Sequence, residues 1–292
     1  VRCLGLVPLV WSARLIARLP QRAILALGAG LSWVLTPLLS SRRRTARRNI
    51  ALCFPELAPA QQHALLRANL RATVTGALEL LRAWYAPSQA LRGLVRIEGL
   101  ERLQSVLVEG RGVLLFTGHF THTELAVRLL SEALGRPVRT VIRRHNRACL
   151  EQVFEQARAR VFGPTLAKKD VRGLLRTLQA GEPVVYSADQ NFTYQNAFVP
   201  FFGVPAATLT TTPELVRRAQ AQMLPFWFHR AEDGCYHLRI DAPWTDWQNA
   251  APEDAAAIYM HRLEAVVREH PEQYLWVHRR FKTRPDGQAP VY

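Results

Sequence analysis

Residues 113–116, Val-Leu-Leu-Phe, form a short uncharged apolar run that stops at Gly118 and is followed at once by His119, His122 and Glu124. A run of this length suits a strand buried on both faces, so the chain must supply helices to cover two sides of a sheet. Beyond the glycine, Thr121 or Thr123 is placed to cap a helix through Leu125, Val127, Leu129 and Leu130, with Glu124 near its positive end. His119 then sits at the carboxyl end of a strand, where open α/β sheets carry their binding crevice.

The flanking sequence alternates in the same way. Leu66, Leu70, Val74, Ala77, Leu78 and Leu81 recur at helical steps and predict a helix from about 57 to 84. Residues 94–99, 138–142 and 184–186 read as strands, and 100–108, 149–161 and a stretch ending at Gly181 read as helices. Thr208 to Pro213 opens a further helix, and residues 223–229 and 236–240 form a hairpin turning at Asp233 and Gly234. A closing helix covers about 253–269, and the segment from Pro271 combines a strand with a basic cluster. These elements predict an α/β fold, with a mixed central sheet flanked by helices.

Ahead of them, residues 4–39 are strongly apolar, interrupted by Pro8, Arg14, Arg18, Pro20 and Arg22. Residues 4–19 have an interfacial character, whereas 23–39 carry no charge and lie at the lower edge of a spanning length. Arg42, Arg43, Arg44, Arg47 and Arg48 follow, a cluster that belongs on the cytoplasmic side of a bilayer and suits anionic headgroups. A cleaved signal peptide fits less well, because arginines stand where a small-residue cleavage site is needed. A buried hairpin is the other alternative, since Gly28, Gly30 and Pro37 weaken a spanning helix. The expected partition is a membrane-associated helical segment over 1–48 and a catalytic domain over 49–292, with no internal repeat.

Lysine and arginine total 38 against 23 acids, a net charge of +15 that implies an anionic partner. The four cysteines, Cys3, Cys53, Cys149 and Cys235, are widely spread and are expected as free thiols in a reducing compartment.

His119 and Glu124 are five apart, so they meet only if His119 precedes the helix. In that arrangement Glu124 fixes one imidazole nitrogen and leaves the other to take a proton from a hydroxyl. The plainer alternative is a loop histidine and a helix N-terminal acid favoured by the dipole. His119, His122, Glu124 and His145 include zinc-ligand types, but there is no His-Glu-x-x-His and no Cys-x-x-Cys. There is also no Gly-x-Ser-x-Gly elbow, which argues against an ordinary serine hydrolase.

Other strand ends carry polar residues as well. Arg143, Arg144, His145 and Arg147 follow the strand at 138–142 and suit phosphate or developing negative charge, unless they form a solvated basic loop. Lys168 stands ahead of another helix, and Asp189 is expected to pair with an arginine such as Arg143. Phe198, Phe201 and Phe202 lie in a stretch rich in proline and glycine that reads as a loop covering something apolar, such as a lipid chain.

With these residues in view, the sequence resembles the late lipid A acyltransferases, the lauroyl and myristoyl transferase group of the lysophospholipid acyltransferase superfamily. The likeness rests on Arg47-Arg-Asn-Ile-Ala-Leu-Cys-Phe-Pro-Glu-Leu, Gly110-Arg-Gly-Val-Leu-Leu, His119-x4-Glu124 and Asp170-Val-Arg-Gly-Leu-Leu. Asp189-Gln190, Phe198-Val-Pro-Phe-Phe-Gly and the terminal Tyr274-Leu-Trp-Val-His-Arg-Arg-Phe-Lys complete it. It covers nearly the whole chain. The resemblance implies a glycerolphosphate acyltransferase-like fold and a bacterial inner-membrane enzyme whose catalytic domain faces the cytoplasm. It implies transfer of a fatty acyl group from an acyl carrier protein thioester to a lipid A precursor hydroxyl, with His119 and Glu124 as the catalytic pair. Arg143, Lys168 and Asp189 are then supporting groups, and the phenylalanines touch the acyl chain. No metal, organic cofactor or nucleic-acid partner is implied, whereas an anionic membrane surface is.

Departures from the family pattern are local. Arg143-Arg144-His145 replaces an Arg-Pro-His-like sequence, Lys168 replaces an arginine, and residues 191–196 lack the basic residues often found there. His122 stands where a small or apolar residue is usual. Two rivals share part of this evidence. One is an acyltransferase acting on a glycerophospholipid or another polar acceptor, and the other is a non-catalytic basic membrane-binding protein.

Overall fold

The computed structural model describes residues 4–247 and 249–292. After a 3-10 turn at Leu4–Leu6, four helices precede the sheet: α1 (Val7–Ala17), α2 (Gln21–Leu35), α3 (Ser40–Cys53) and α4 (Pro59–Tyr85). The first three pack against α4. Ala17, Ile24 and Gly28 are the small or apolar residues turned inward. Gly28 is required there, because a Cβ would lie 2.3 Å from the Thr75 hydroxyl of α4.

Among the described residues no single helix is long and apolar enough to cross a membrane. Helices α2 and α3 reach that composition only together, as a pair bent by 101°. The arginine cluster expected to trail a span instead lies on α3, with Arg42, Arg43, Arg44, Arg47 and Arg48 all exposed. Thr45, Ala46, Asn49, Ile50 and Cys53 make the opposite, buried face of that helix, so helical spacing of small and polar residues had concealed an amphipathic element.

The sheet region follows as β1 (Val95–Glu98), α5 (Leu100–Val108), β2 (Val113–Thr117), α6 (Thr123–Leu134), β3 (Arg139–Ile142), α7 (Ala148–Phe162), β4 (Leu166–Ala167), α8 (Val171–Gln179) and β5 (Pro183–Ser187). A hairpin, β6 (Asn196–Phe201) and β7 (Val204–Leu209), leads to α9 (Thr212–Ala219), β8 (Gln222–Arg230), β9 (Tyr236–Ile240) and α10 (Pro252–Glu269). The seven-stranded sheet has the order β1-β9-β8-β2-β5-β3-β4. All its pairings are parallel except β8 with β9, so the sheet is mixed as expected.

Strand β2 lies at the centre, and every one of its residues is buried. Its connections explain where the crevice opens. From β2 to β3 to β4 the chain moves outward through α6 and α7, and from β4 to β5 and then past β2 to β8 it moves back through α8 and α9. Right-handed crossovers therefore put α6 and α7 on one face and α8 and α9 on the other. The neighbours β2 and β5 send their chains to opposite faces, which leaves a gap beyond their carboxyl ends.

Two expectations need correction here. Residues 198–203 are not a loop: β6 and β7 pair in antiparallel register, with Pro200 opposite Pro205, and turn at Phe202 and Gly203, both at positive φ. Paired prolines on a two-stranded ribbon withhold no central ladder bond, so the prolines did not exclude a strand. The segment from Pro271 is not a strand either; a 3-10 turn at Pro271–Gln273 leads into an irregular strap with one bridge, Phe120 to Tyr274. Side chains hold this strap in place of a ladder. Asn49 Nδ2 donates to the carbonyls of Trp276 and His278, and Asn69 Nδ2 donates to those of Glu272 and Tyr274. The cysteine expectation holds for Cys53 and Cys235, which are free, but Cys149 is disulfide-bonded; Cys3 lies outside the described residues. Sequence spacing carries no information about which cysteines approach in space.

Candidate active site

Thr117 of β2 and Ser187 of β5 are register partners, and two residues beyond each stand a histidine and an aspartate. This places His119 opposite Asp189 across the gap. His119 Nδ1 lies 2.5 Å from Asp189 Oδ1, and the His119 backbone N–H donates to Oδ2 at 2.8 Å. Asp189 is buried, while His119 keeps a third of its side chain open. Burial alone would raise the Asp189 carboxyl, but His119 and the hydroxyl of Tyr274, 2.8 Å from Oδ2, outweigh it and hold the carboxyl well below its ordinary range. Burial and the same carboxylate push the Tyr274 phenol well up, so it remains a donor.

The strap fixes this geometry from behind. The Thr121 N–H donates to the Gln273 carbonyl, and the Leu275 N–H donates to the His119 carbonyl. Helix α4 closes against the same loop at Gly76, where a Cβ would sit 2.2 Å from the Thr121 carbonyl oxygen. Arg280 is buried and donates to the Gln190 and Ala207 carbonyls. The terminal Tyr-Leu-Trp-Val-His-Arg-Arg block thus packs beneath Asp189 and its neighbours.

Glu124 does not orient His119. Its carboxylate, in the first turn of α6, accepts from Arg158 Nε at 3.1 Å and Arg158 Nη2 at 2.7 Å, and from the Trp84 indole at 2.5 Å. Arg158 also lies over the Trp84 ring, 4.9 Å from its centroid. The orienting carboxylate is Asp189, which the sequence suggested for Arg143. The side chain of Arg143 is exposed and makes no hydrogen bond or ion pair among the described residues. The reason lies in pairing: β2 lies beside β5, and β3 beyond it, so the two strand ends that meet are those of His119 and Asp189.

His119, Glu124, Arg143, Arg158 and Lys168 nevertheless line one cavity of about 760 Å³. Lys168 Nζ stands 4.4 Å from the Phe192 ring centroid, and burial together with Arg143 lowers its pKa. Leu174, Leu175, Val185, Leu209 and Leu215 give the cavity apolar walls.

The expected phenylalanines are elsewhere. Phe201 and Phe202 are buried, packing against Tyr274, Trp276 and Phe54, while Phe198 is exposed on the hairpin. Phe192 and Tyr194 line the cavity instead. Arg158, Trp84 and Tyr274, which hold the Glu124 and Asp189 carboxylates, are residues that the sequence reading missed. Trp84 and Tyr274 carry no signal separable from core aromatics, whereas Arg158 could have been found as a cation on the cavity-facing side of α7.

A single strand-end histidine and acid would leave the family open, but the whole chain agrees. The sequence profile described as bacterial lipid A biosynthesis acyltransferase matches residues 6–283. The chain belongs to that family.

Similar proteins bear out the family's span. The lipid A biosynthesis palmitoleoyltransferase of Escherichia coli (strain K12) is 32% identical over 279 residues, 94% of this chain and 90% of that protein. The lauroyltransferase of the same strain is 31% identical over 281 residues, covering 95% and 91%. A lipid A biosynthesis acyltransferase of Haemophilus influenzae (strain ATCC 51907 / DSM 11121 / KW20 / Rd) is 33% identical over 288 residues, covering 96% and 90%. Family membership makes the chain an acyltransferase. In an acyltransferase of this family the matched span includes the strand-end histidine, both carboxylates and nearly all of the strap that backs them.

His122 is answered by the fold. It is buried against the rings of Phe228 and Tyr236, and burial followed by the charges of Arg230 and nearby histidines lowers its pKa well below 6.5. It belongs to the core beneath the loop, not to the cavity lining.

Proposed function

We propose that the protein moves a fatty acyl group from an acyl carrier protein thioester to a hydroxyl of a lipid A precursor at the His119 crevice. The observation that carries this reading is the His119 Nδ1 contact of 2.5 Å with buried Asp189, on a histidine that lines a cavity with apolar walls. Asp189 fixes the tautomer by accepting from Nδ1, which leaves Nε2 as the base. Nε2 takes the proton from the acceptor hydroxyl as its oxygen attacks the thioester carbonyl. The tetrahedral intermediate then expels the thiol sulfur, which takes up the proton carried by His119.

The developing oxyanion needs donors that are not already engaged. The N–H groups of Phe120, Thr121 and Thr123 all have partners within the loop and strap. Arg158 uses Nε and Nη2 on Glu124, and Nη1 remains for a substrate oxygen. Glu124 is thus a positioning residue for Arg158. Arg143 and Lys168 supply further positive charge at the rim for a phosphate or the oxyanion.

Helices α1 to α3 act as the membrane attachment. Trp11, Leu15, Trp33 and Leu38 are exposed apolar side chains, and the arginines of α3 stand beside them in sequence. We assign the attachment to the bacterial inner membrane, with the catalytic domain on the cytoplasmic side. An acidic carrier protein and a phosphorylated lipid acceptor both suit a chain of net charge +15.

The test offers acyl carrier protein and coenzyme A thioesters of several chain lengths together with a tetra-acylated lipid A precursor, and reads products by mass spectrometry. One added acyl group on the precursor, formed faster from the carrier protein thioester, is the expected result. Transfer to glycerophospholipid alone, or no transfer, rejects the reading.

A further inference from the structure

Arg280 carries a full charge into the interior without an ion-pair partner. Its side chain is 2% exposed, and among the described residues it meets only neutral acceptors. Nη1 donates to the carbonyls of Gln190 and Ala207 and Nη2 to the Thr208 hydroxyl, while Nε has no partner. Arg158 and Arg230, by contrast, each reach a carboxylate. Burial lowers the Arg280 pKa, yet a guanidinium stays protonated in a folded protein. A buried charge without a partner is costly, so the groups it faces matter.

His119, Asp189, Tyr274, His278 and Arg280 surround one small recess behind the crevice. The Gln190 carbonyl that anchors Arg280, at 3.1 Å, belongs to the residue after Asp189. The Asp189 carboxylate is itself taken up by His119 and Tyr274, so the guanidinium acts on it through space and not through a bond. Burial pushes up the phenols of Tyr186, Tyr259, Tyr274 and Tyr292 and the Cys53 thiol, and pushes His278 down to about 4. Each of these is therefore neutral at neutral pH. Glu124 is paired with Arg158, and Lys168 and Arg143 stand at the exposed rim. Two charges remain buried around the recess, Asp189 and Arg280.

We infer that Arg280 is a positioning residue for the proton of the reaction: its charge in the recess offsets the pull of Asp189 on His119 and keeps the imidazole a neutral base. A buried carboxylate facing an imidazole favours the imidazolium. With nothing to oppose it, His119 enters the reaction already protonated, and it holds the substrate proton too firmly to return it to the thiolate. A charge of opposite sign in the same recess removes part of that bias and keeps Asp189 ionised. The inference rests on the general-base reading of His119 and adds to it the group that sets the strength of the base.

Two measurements on the full chain test this. Diethyl pyrocarbonate modifies neutral imidazole, so the pH dependence of His119 labelling, read by peptide mass spectrometry, reports its protonation without any substrate. The acid limb of kcat/KM, for transfer from a carrier protein thioester to a lipid A precursor, reports the same group in the working enzyme. Arg280→Gln is expected to move both limbs upward by about half a pH unit or more, because the imidazolium gains stability when the cation leaves. Arg280→Lys keeps the charge, so its limbs stay at the unsubstituted position although turnover falls with the lost fork of hydrogen bonds. Thr208→Asp leaves Arg280 in place and gives it a carboxylate, which should shift the limbs upward as Arg280→Gln does; it decides the question if Arg280→Gln fails to fold. A purely structural role predicts a rate lost equally at every pH, and limbs unmoved in Arg280→Gln or Thr208→Asp overturn the proposal. An upward shift in Arg280→Lys equal to that in Arg280→Gln overturns it as well. Absence of acyl transfer by the unsubstituted protein would reject the functional reading instead, and the labelling profile still decides the role of Arg280.

Discussion

The crevice at β2 and β5 and the helical region formed by α1 to α3 obey opposite rules of burial. At the crevice, apolar strands lie inside and charged groups are buried only where they are paired, as His119 with Asp189 and Glu124 with Arg158. In the helical region the largest apolar side chains point outward: Trp33 is 85% exposed and Leu38 76%. Apart from Ile24 and Ile50, what faces inward there is mostly small or polar. Ala17 and Gly28 make the close contacts, Gln21 donates to the Tyr236 hydroxyl, and the Leu19 carbonyl accepts from buried Arg82. The crevice holds a geometry for chemistry, whereas the helices trade water exposure of apolar groups for a surface that suits lipid.

The largest effect expected from separating the two regions is on turnover. His119→Ala should lower it by about 10² to 10⁴ with vesicle binding unchanged. Asp189→Asn should fall less far but in the same direction, because the amide no longer enforces the Nδ1–H tautomer. A turnover loss for Trp33→Ser combined with Leu38→Ser that equals the His119→Ala loss, measured on detergent-dispersed substrates, would show that the regions are not separable.

The junction between the regions is the next place to press. Glu79 of α4 is fully buried and accepts from Arg230 of β8 and from the Tyr236 hydroxyl of β9, while Gln21 of α2 reaches the same tyrosine. Removing one partner of a buried charge pair leaves the other uncompensated. Glu79→Ala should therefore cost about 3–5 kcal/mol of stability, read by chemical denaturation. Loss of under about 1 kcal/mol would mean that Arg230 finds water when Glu79 is gone.

Much of the fold was legible from periodicity, because strands such as β2 and helices such as α4 follow their own local patterns. His119 at a strand end, Asp189 at another and Lys168 just ahead of a helix were readable for the same reason. Strand order was not. Whether Asp189 meets His119 or Arg143 depends on β5 lying beside β2, a long-range fact with no local signature. The terminal strap was misread as a strand because Tyr274, Leu275, Trp276 and Val277 have strand propensity, yet Asn49 and Asn69 satisfy its backbone from two helices. The hairpin phenylalanines were assigned to lipid from composition, although a positive-φ turn at Phe202 folds two of them into the core.

A smaller effect concerns the exposed apolar surface. Replacing Trp33 and Leu38 together by serine should weaken binding to anionic vesicles by about 2–3 kcal/mol in partition free energy, measured by flotation or sedimentation. Turnover of dispersed substrate should stay within about twofold. Unchanged vesicle binding would move the attachment away from α2 and sharpen the comparison in favour of the arginine face of α3.

The smallest effect is one of pH, and it divides the regions by composition. Residues 1–53 contain no histidine, aspartate or glutamate, so vesicle binding through α1 to α3 should be flat between pH 7 and 4. The sheet region holds histidines whose burial lowers their pKa: His278 and His229 to about 4, and His122 well below its ordinary value. Each therefore takes up its proton in the unfolded chain first, as pH falls through about 6.5. Stability contributed by the neutral forms is fully present above that pH and declines as pH falls, until His278 and His229 also titrate in the folded state near pH 4. Partial solvent access reduces the His278 share to about 1–2 kcal/mol. Denaturation midpoints should fall accordingly from pH 7 to 4, and His278→Asn should flatten part of the slope without altering the flat vesicle-binding profile. A slope in vesicle binding over the same range, unaffected by His278→Asn, would place a titrating group from the sheet region at the lipid contact and erase the division.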